Sequence, residues 1–117
     1  MSERRGPYLC GIDAAMDVVG GKWKALILWD LDTHGTRRFG QLRRGLPGVS
    51  EKVLIQQLRE LEHDDVVHRE VYAEVPPRVE YSLTAFGVEL NAALAPLGVW
   101  GRDRMDRIGA ERVPHPE

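Results

Sequence analysis

The spacing of apolar residues predicts helices in the first third of the chain. Ile12, Met16 and Val19 recur at helical spacing, which predicts a first helix over residues 10–19. A Gly-Gly pair then ends this helix. Residues 22–31 are apolar nearly all round, which predicts a second, deeply buried helix. A following His-Gly pair is a suitable stop for it, because glycine adopts the left-handed conformation at little steric cost.

A short third helix and an amphipathic fourth helix follow, separated by a Pro-Gly turn. The apolar side of the third helix consists of Phe39, Leu42 and Leu46. Ser50 lies where its hydroxyl can cap the fourth helix, which we expect to end at about residue 64 or 65. Leu58 and Leu61 lie within about 40° of Leu54 around the axis of this fourth helix. We therefore expect that side of the helix to face the core.

The period of the pattern changes to two after residue 66. Residues 67–72 and 78–83 each alternate, and a short proline-bearing link joins them, which predicts a β-hairpin with a stiff tip. Thr84 is placed to cap a fifth helix, and we expect Pro96 to kink or end it before it resumes to about residue 107. The order helix, helix, turn, helix, two-stranded wing and helix predicts an α+β fold, a winged helix-turn-helix.

Size and composition indicate one ordinary globular domain. The chain has 117 residues, of which 43% are hydrophobic and 29% charged. We assign residues 10–110 to the domain, and expect residues 1–9 and 111–117 to be flexible tails. The apolar runs are too short to span a bilayer, and the N-terminus resembles no secretion signal. With a single cysteine, Cys10, these features favour a cytoplasmic protein.

Positive charge is concentrated around the turn between the third and fourth helices, although the formal net charge is −2. Residues 36–59 contain six bases and one acid, so their local net charge is +5. Local potential, rather than net charge, governs the encounter with a polyanion. On the fourth helix, Lys52, Gln56 and Arg59 lie opposite the leucines, between about 140° and 200° around the axis.

These side chains suit the major groove of double-stranded DNA. A glutamine can bond adenine N6 and N7 together, and an arginine or lysine can meet guanine or a phosphate. Arg78, beside the predicted wing tip, could reach an adjacent backbone or minor groove. The candidate DNA-binding residues are Arg37, Arg38, Arg43, Arg44, Ser50, Lys52, Gln56, Arg59 and Arg78.

Two other interpretations of this surface remain open from the residues alone. The polar helix face could simply be solvated, with Glu51, Glu60 and Glu62 pairing locally with Lys52 or Arg59. The basic face could instead dock an acidic protein partner, since a fold does not fix a function.

The sequence offers no support for an enzyme, a metal site or a cofactor. It contains no glycine-rich phosphate loop and no serine or cysteine nucleophile with an evident base. The spacing of His63 and His68 fits no zinc pattern, so we expect solvated loop residues there.

Four segments together resemble one known family. They are CGIDAAMDVVGGKWKALILWDL, RRFGQLRRGLPGVSEKVLIQQLRELEHD, VPPRVEYSLTAFGVEL and LAPLGVWG, and they cover about residues 10–101. The chain closely resembles the HxlR-type bacterial transcriptional regulators. The resemblance implies a winged helix that binds a pseudo-palindromic operator as a homodimer, expected here to act as a repressor. One departure is Asp65, where the family usually has glycine, and we expect Asp65 to keep the same left-handed turn.

The resemblance also implies roles for the terminal helices. These helices would form the dimer, and the candidate interface residues are Ile12, Met16, Leu97, Trp100 and Ile108.

A cysteine matching Cys10 senses oxidants or electrophiles in some similar regulators, and the start of a helix favours the reactive thiolate. The alternative is that Cys10 is a small, packed apolar residue. A small-molecule effector is also open, because Trp23, Trp29 and Trp100 could line an aromatic pocket, although packing is the commoner use of tryptophan.

Overall fold

The chain forms five helices and three short strands within residues 5–114, which are the residues that the computed structural model describes. The helices are α1 (Gly11–Val19), α2 (Trp23–His34), α3 (Phe39–Gly45), α4 (Glu51–His63) and α5 (Ala85–Ile108). The strands are β1 (Arg37–Arg38), β2 (Val67–Tyr72) and β3 (Arg78–Leu83). The α+β winged helix-turn-helix prediction is confirmed. Of the predicted tails, residues 1–4 and 115–117 lie outside the described residues.

The helix ends follow the capping residues in the sequence. α2 runs three residues beyond its predicted end, to His34, and the N–H of Gly35 then donates to the carbonyl oxygen of Leu31 at 2.8 Å. The hydroxyl of Ser50 accepts from the N–H of Val53 at 3.1 Å and caps α4 as predicted. After α4, Asp65 has φ 63°, so its predicted left-handed conformation is confirmed.

α5 begins as predicted but does not break at Pro96. The hydroxyl of Thr84 accepts from the N–H of Gly87 at 2.9 Å and donates to the carbonyl oxygen of Asp65 at 2.7 Å. The helix has 24 residues with Pro96 inside it, so Pro96 does not end the helix, and the kink that was the other expectation stays a prediction. Proline removes one N–H donor, and the hydrogen bonds on either side of it keep a helix of this length continuous.

The wing is the predicted antiparallel hairpin with one further strand. β2 pairs with β3, placing Arg69 opposite Tyr81 on the side that also carries the valines of β2. β1 pairs with the other edge of β3, so the strand order is β1-β3-β2. β1 was not predicted from the sequence, because a two-residue strand is too short to show a period. This strand ties the segment before α3 to the wing.

One hydrophobic core joins the helices to the base of the wing. Its buried members are Val19, Ile27, Leu28, Leu31, Leu42, Leu46, Val49, Leu54, Leu58, Leu61, Val66 and Val67. The expected all-round burial of α2 is wrong in part, since Leu26 is 36% exposed and two charged residues of α2, Lys24 and Asp30, are buried instead.

The described part of the N-terminal segment contacts the domain. Arg5 forms an ion pair with Asp64 at 3.2 Å, and the hydroxyl of Tyr8 donates to Asp17. Within residues 5–114, no helix is both long enough and apolar enough to cross a membrane.

Candidate nucleic-acid interface

α4 presents one apolar and one polar side, as its sequence predicts. Leu54, Leu58 and Leu61 are at most 1% exposed and face the core. On the opposite side Lys52, Gln56 and Arg59 are exposed. The predicted orientation of this helix is confirmed, because burying the leucines leaves the amide and the two cations outside.

The turn between α3 and α4 is flanked by further exposed cations. Arg43 and Arg44 lie in the last turn of α3, and Arg38 lies at its N-terminal cap. Gly48 turns the chain with φ 95°, and the buried Val49 fixes the turn against the core. α3, the turn and α4 therefore form a surface with exposed positive groups on both sides of the turn.

The acidic residues of α4 pair away from Lys52 and Arg59. Glu60 binds the buried Lys24 of α2 at 2.5 Å. Glu51 lies 3.5 Å from Arg43, and Glu62 lies 3.4 Å from Arg69 on the wing. The interpretation that these glutamates neutralise Lys52 or Arg59 is wrong. Within the described residues, neither cation has an ion-pair partner.

Arg37 does not belong to the exposed surface. It is 8% exposed, its Nε donates to Oδ1 of Asp30 at 3.1 Å, and its Nη2 donates to the carbonyl oxygen of Gln41 at 3.2 Å. β1 turns this side chain inward and Arg38 outward. We therefore remove Arg37 from the candidate DNA contacts, because the buried carboxylate of Asp30 already binds its charge.

Arg78 is held within the wing. Its guanidinium lies 3.9 Å from the centre of the Tyr72 ring and donates to Glu80 at 3.1 Å and to Glu74 at 3.3 Å. Two carboxylates offset its charge, so the expectation that Arg78 reaches toward DNA loses its basis. The alternating pattern does place Glu80 on the same side of β3 as Arg78, two residues away, whereas Glu74 lies in the link before the strand.

A cleft of about 480 Å³ separates α4 from the wing. Its lining residues are Phe39, Glu51, Ile55, Leu58, Arg59, Glu62, Arg69, Val79 and Tyr81. Burial raises the pKa of the Tyr81 hydroxyl, so this group stays a neutral hydrogen-bond donor at physiological pH. Arg69 was not among the sequence-based candidates. Arg69 lies between Val67 and Val71 on one side of β2, and this position in the sequence could have indicated that its side chain faces α4.

The candidate dimer residues are exposed in the single chain. Ile12 is 73% and Met16 46% exposed on α1, while Leu97, Trp100 and Ile108 are between 58% and 63% exposed on α5. Cys10 is an exposed free thiol at the N-terminal cap of α1. The alternative in which Cys10 is a packed apolar residue does not hold within this chain.

Comparison with known proteins places these features in one family. Residues 18–108 match the model of the HxlR-like helix-turn-helix family. The chain is 44% identical over 106 residues to the uncharacterized HTH-type transcriptional regulator YdeP of Bacillus subtilis (strain 168), which covers 88% of this chain and 82% of that protein.

Two solved structures share both the fold and much of the sequence. The HTH-type transcriptional regulator YtcD matches with a TM-score of 0.78 and 45% identity over 84% of this chain and 99% of that chain. The redox regulator HypR in its reduced form matches with a TM-score of 0.79 and 42% identity over 86% of this chain and 98% of that chain. These matches confirm the resemblance, the fold class and the prediction of a DNA-binding regulator rather than an enzyme.

Proposed function

This chain belongs to the HxlR-like helix-turn-helix family, and from that premise we propose that it binds a pseudo-palindromic DNA operator as a homodimer. α4 enters the major groove, and α3 crosses the phosphate backbone beside it. The observation that carries this proposal is the exposed face of α4, where Lys52, Gln56 and Arg59 lie directly opposite three buried leucines.

The exposed groups divide by the part of DNA that each suits. Gln56 can exchange two hydrogen bonds with adenine, which discriminates between bases. Lys52, Arg43 and Arg44 suit phosphates, where they add affinity and fix the register of the helix without distinguishing sequence. Arg59, which has no ion-pair partner among the described residues, lines the cleft beside the wing and supplies positive charge there, whereas the charge of Arg69 is offset by Glu62.

The apolar faces of α1 and α5 support the homodimer. Each exposes large side chains that a soluble chain normally covers, with Trp100 63% and Ile12 73% exposed. A symmetric pairing through these helices would place the two copies of α4 in successive major grooves, roughly 34 Å apart. Repression follows if the operator overlaps a promoter.

Oxidation of Cys10 would regulate the binding of DNA. Its thiol is exposed at the start of α1, beside the face assigned to the dimer, and the similar protein HypR is a redox regulator. Because the chain has one cysteine, an oxidant such as diamide takes two hydrogens from two thiols and joins Cys10 to Cys10 of the partner subunit or to a small thiol. A Cys10→Ser protein should keep its DNA affinity under diamide. Equal loss of affinity in the wild type and in Cys10→Ser would contradict redox regulation through Cys10.

The proposed function is tested by titrating the protein against a labelled duplex from the region upstream of its own coding sequence. We expect binding with sequence preference and a strong decrease as salt rises. An acidic competitor protein is the control for a protein-docking module. If the competitor displaces the DNA, or if all duplexes bind equally, the proposal is wrong.

A further inference from the structure

Two charged side chains are buried together behind the helix that we assign to the major groove. Lys24 of α2 is 4% exposed and Glu60 of α4 is 7% exposed. The Lys24 Nζ and the Glu60 Oε1 lie 2.5 Å apart, so each charge offsets the other. An ion without a partner at this depth would be strongly unfavourable, which fixes both side chains in one geometry.

Glu60 has a second oxygen, and this oxygen contacts the exposed face of α4. The Nε2 of Gln56 donates to Oε2 of Glu60 at 3.3 Å, one helical turn away. The carboxylate of Glu60 therefore bridges a buried ammonium on one side and an exposed carboxamide on the other. This contact is the one connection between the interior ion pair and a candidate base-contacting residue that the described hydrogen bonds show.

The carboxyl of Glu60 is ionised under ordinary conditions. Burial alone would raise its pKa, but several hydrogen bonds, those from Lys24 and Gln56 among them, and the charge of Lys24 together lower the pKa below its usual 4.5. An ionised carboxylate only accepts hydrogen bonds, so it can receive one from Lys24 and another from Gln56 together.

This arrangement determines which atoms Gln56 offers to DNA. A free surface glutamine samples many rotamers and loses that freedom on binding. Here one N–H of the carboxamide is directed to Glu60, which leaves the carbonyl oxygen and the second N–H for a base. Those two groups are the pair that bonds adenine N6 and N7.

We propose that Lys24 and Glu60 are positioning residues for base recognition, which hold the Gln56 carboxamide in the orientation that discriminates adenine. The inference rests on the proposed DNA-binding function. Neither residue touches DNA. Lys24 fixes Glu60, and Glu60 fixes the amide in advance of binding.

The test uses a duplex that the wild-type protein selects from a randomised pool, together with versions substituted at each base pair of one half-site. The variant Lys24→Met with Glu60→Leu replaces the buried pair by apolar side chains of similar size, which folded proteins often tolerate. We expect this variant to lose roughly tenfold preference at the same base pair where Gln56→Ala loses it. Its affinity for an unrelated duplex and its salt dependence should stay at the wild-type values.

Combining the substitutions distinguishes a positioning role of Lys24 and Glu60 from a general effect on stability. Adding Gln56→Ala to the double variant should cause no further loss of preference, because all three residues act through one contact. The matched control is Arg37→Met with Asp30→Leu, which removes the other buried pair, between α2 and β1. We expect this control to keep the base preference of the wild type.

A second measurement needs no substitution. In ¹⁵N–¹H spectra of the wild-type protein, the side-chain amide of Gln56 should shift as acid protonates Glu60. An amide that does not respond to that titration contradicts the contact and overturns the inference.

The outcomes separate this inference from the proposed function. A wild-type protein that binds every duplex equally contradicts the proposed function. A wild-type preference that survives in Lys24→Met with Glu60→Leu, or that Gln56→Ala leaves unchanged, overturns only the positioning role.

Discussion

Individual charged residues in this chain have different roles that the sequence does not distinguish. Lys24 and Arg37 are buried and paired, whereas Lys52 and Arg44 are exposed. The helical period indicated the exposure of Lys52 correctly because leucines mark the opposite side. It gave no indication for Lys24, whose partner Glu60 belongs to a helix far along the chain. An ion pair between distant elements has no local pattern.

The exposed cations beside the turn should contribute affinity without specificity. We expect Lys52→Ala and Arg44→Ala each to weaken binding to all duplexes alike. Each should lower the salt slope by about one unit per phosphate contact in each half-site, because fewer counterions are released. Fluorescence anisotropy over a range of salt concentrations measures both effects. Arg107→Ala, which removes an exposed cation paired with Asp103 on α5, is the control and should keep the wild-type slope.

The Lys24–Glu60 pair should also make stability depend on pH. The pKa of Glu60 in the folded protein lies below 4.5, because burial raises it less than the charge of Lys24 and the hydrogen bonds to the carboxylate together lower it. As pH falls, the unfolded state takes up the proton first, so the stabilisation present above about pH 4.5 is lost as pH passes the folded pKa. Urea unfolding should show a steeper loss of stability below about pH 5 in the wild type than in Lys24→Met with Glu60→Leu.

Urea unfolding also measures how much stability is lost when only one partner of the Lys24–Glu60 pair is removed. Lys24→Met alone removes the buried ammonium that Glu60 binds and should lower the free energy of unfolding by up to about 3 kcal/mol at neutral pH. Equal acid sensitivity in the wild type and the double variant would contradict the account of Glu60.

At the scale of elements, the capping residues predicted where helices begin. Ser50 and Thr84 mark the starts of α4 and α5 because their hydroxyls accept otherwise unpaired N–H groups. β1 could not be predicted, because its two residues are too few to show a period and pair with a strand about 40 residues away along the chain. Pro96 does not end α5, because proline removes one hydrogen bond while the continuity of the helix depends on all the others.

The contact between α5 and the turn before β2 depends on a glycine. A Cβ on Gly87 would overlap the carbonyl oxygen of Val66. Because this oxygen belongs to the backbone, relieving the overlap would require a backbone shift. We expect Gly87→Ala to lower the free energy of unfolding by about 3 kcal/mol, as overpacking does. Urea unfolding monitored by circular dichroism measures the change.

The matched control is another helical glycine. At Gly40 in α3 a Cβ would meet only the end of the Arg44 side chain, at 3.4 Å. Gly40→Ala should be neutral or stabilise by about 0.5 kcal/mol, because alanine favours helix. Similar small effects at both positions would show that the contact with Val66 is not close in solution.

At the scale of the whole molecule, the exposed apolar faces predict self-association. We expect Trp100→Glu to give a folded monomer, because Trp100 is 63% exposed and supports little of the core. Sedimentation velocity should show half the mass of the wild type, together with weaker binding to the full operator. Val75→Glu changes a fully exposed apolar residue at the wing tip and should stay dimeric. A dimeric Trp100→Glu protein would contradict the assigned interface.

The family was evident from the sequence, because the ordered motifs cover most of the domain. The distribution of charge indicated the exposed basic surface around the turn between α3 and α4, and its contact with DNA stays a proposal. The assignment of single arginines was less successful. Arg37 lies in the basic region but is bound by Asp30, and Arg78 on the wing is bound by Glu74 and Glu80. Sequence locates the region, and packing decides which cations remain exposed.

The central claim is that buried leucines direct the opposite side of α4 into the major groove, twice per dimer. Footprinting with dimethyl sulfate, which modifies guanine N7 in the major groove, tests it most directly on the selected duplex. We expect two protected regions about 10 base pairs apart, centre to centre, both lost in Lys52→Ala with Gln56→Ala. A single protected region, a different spacing, or protection that survives both substitutions would contradict the account.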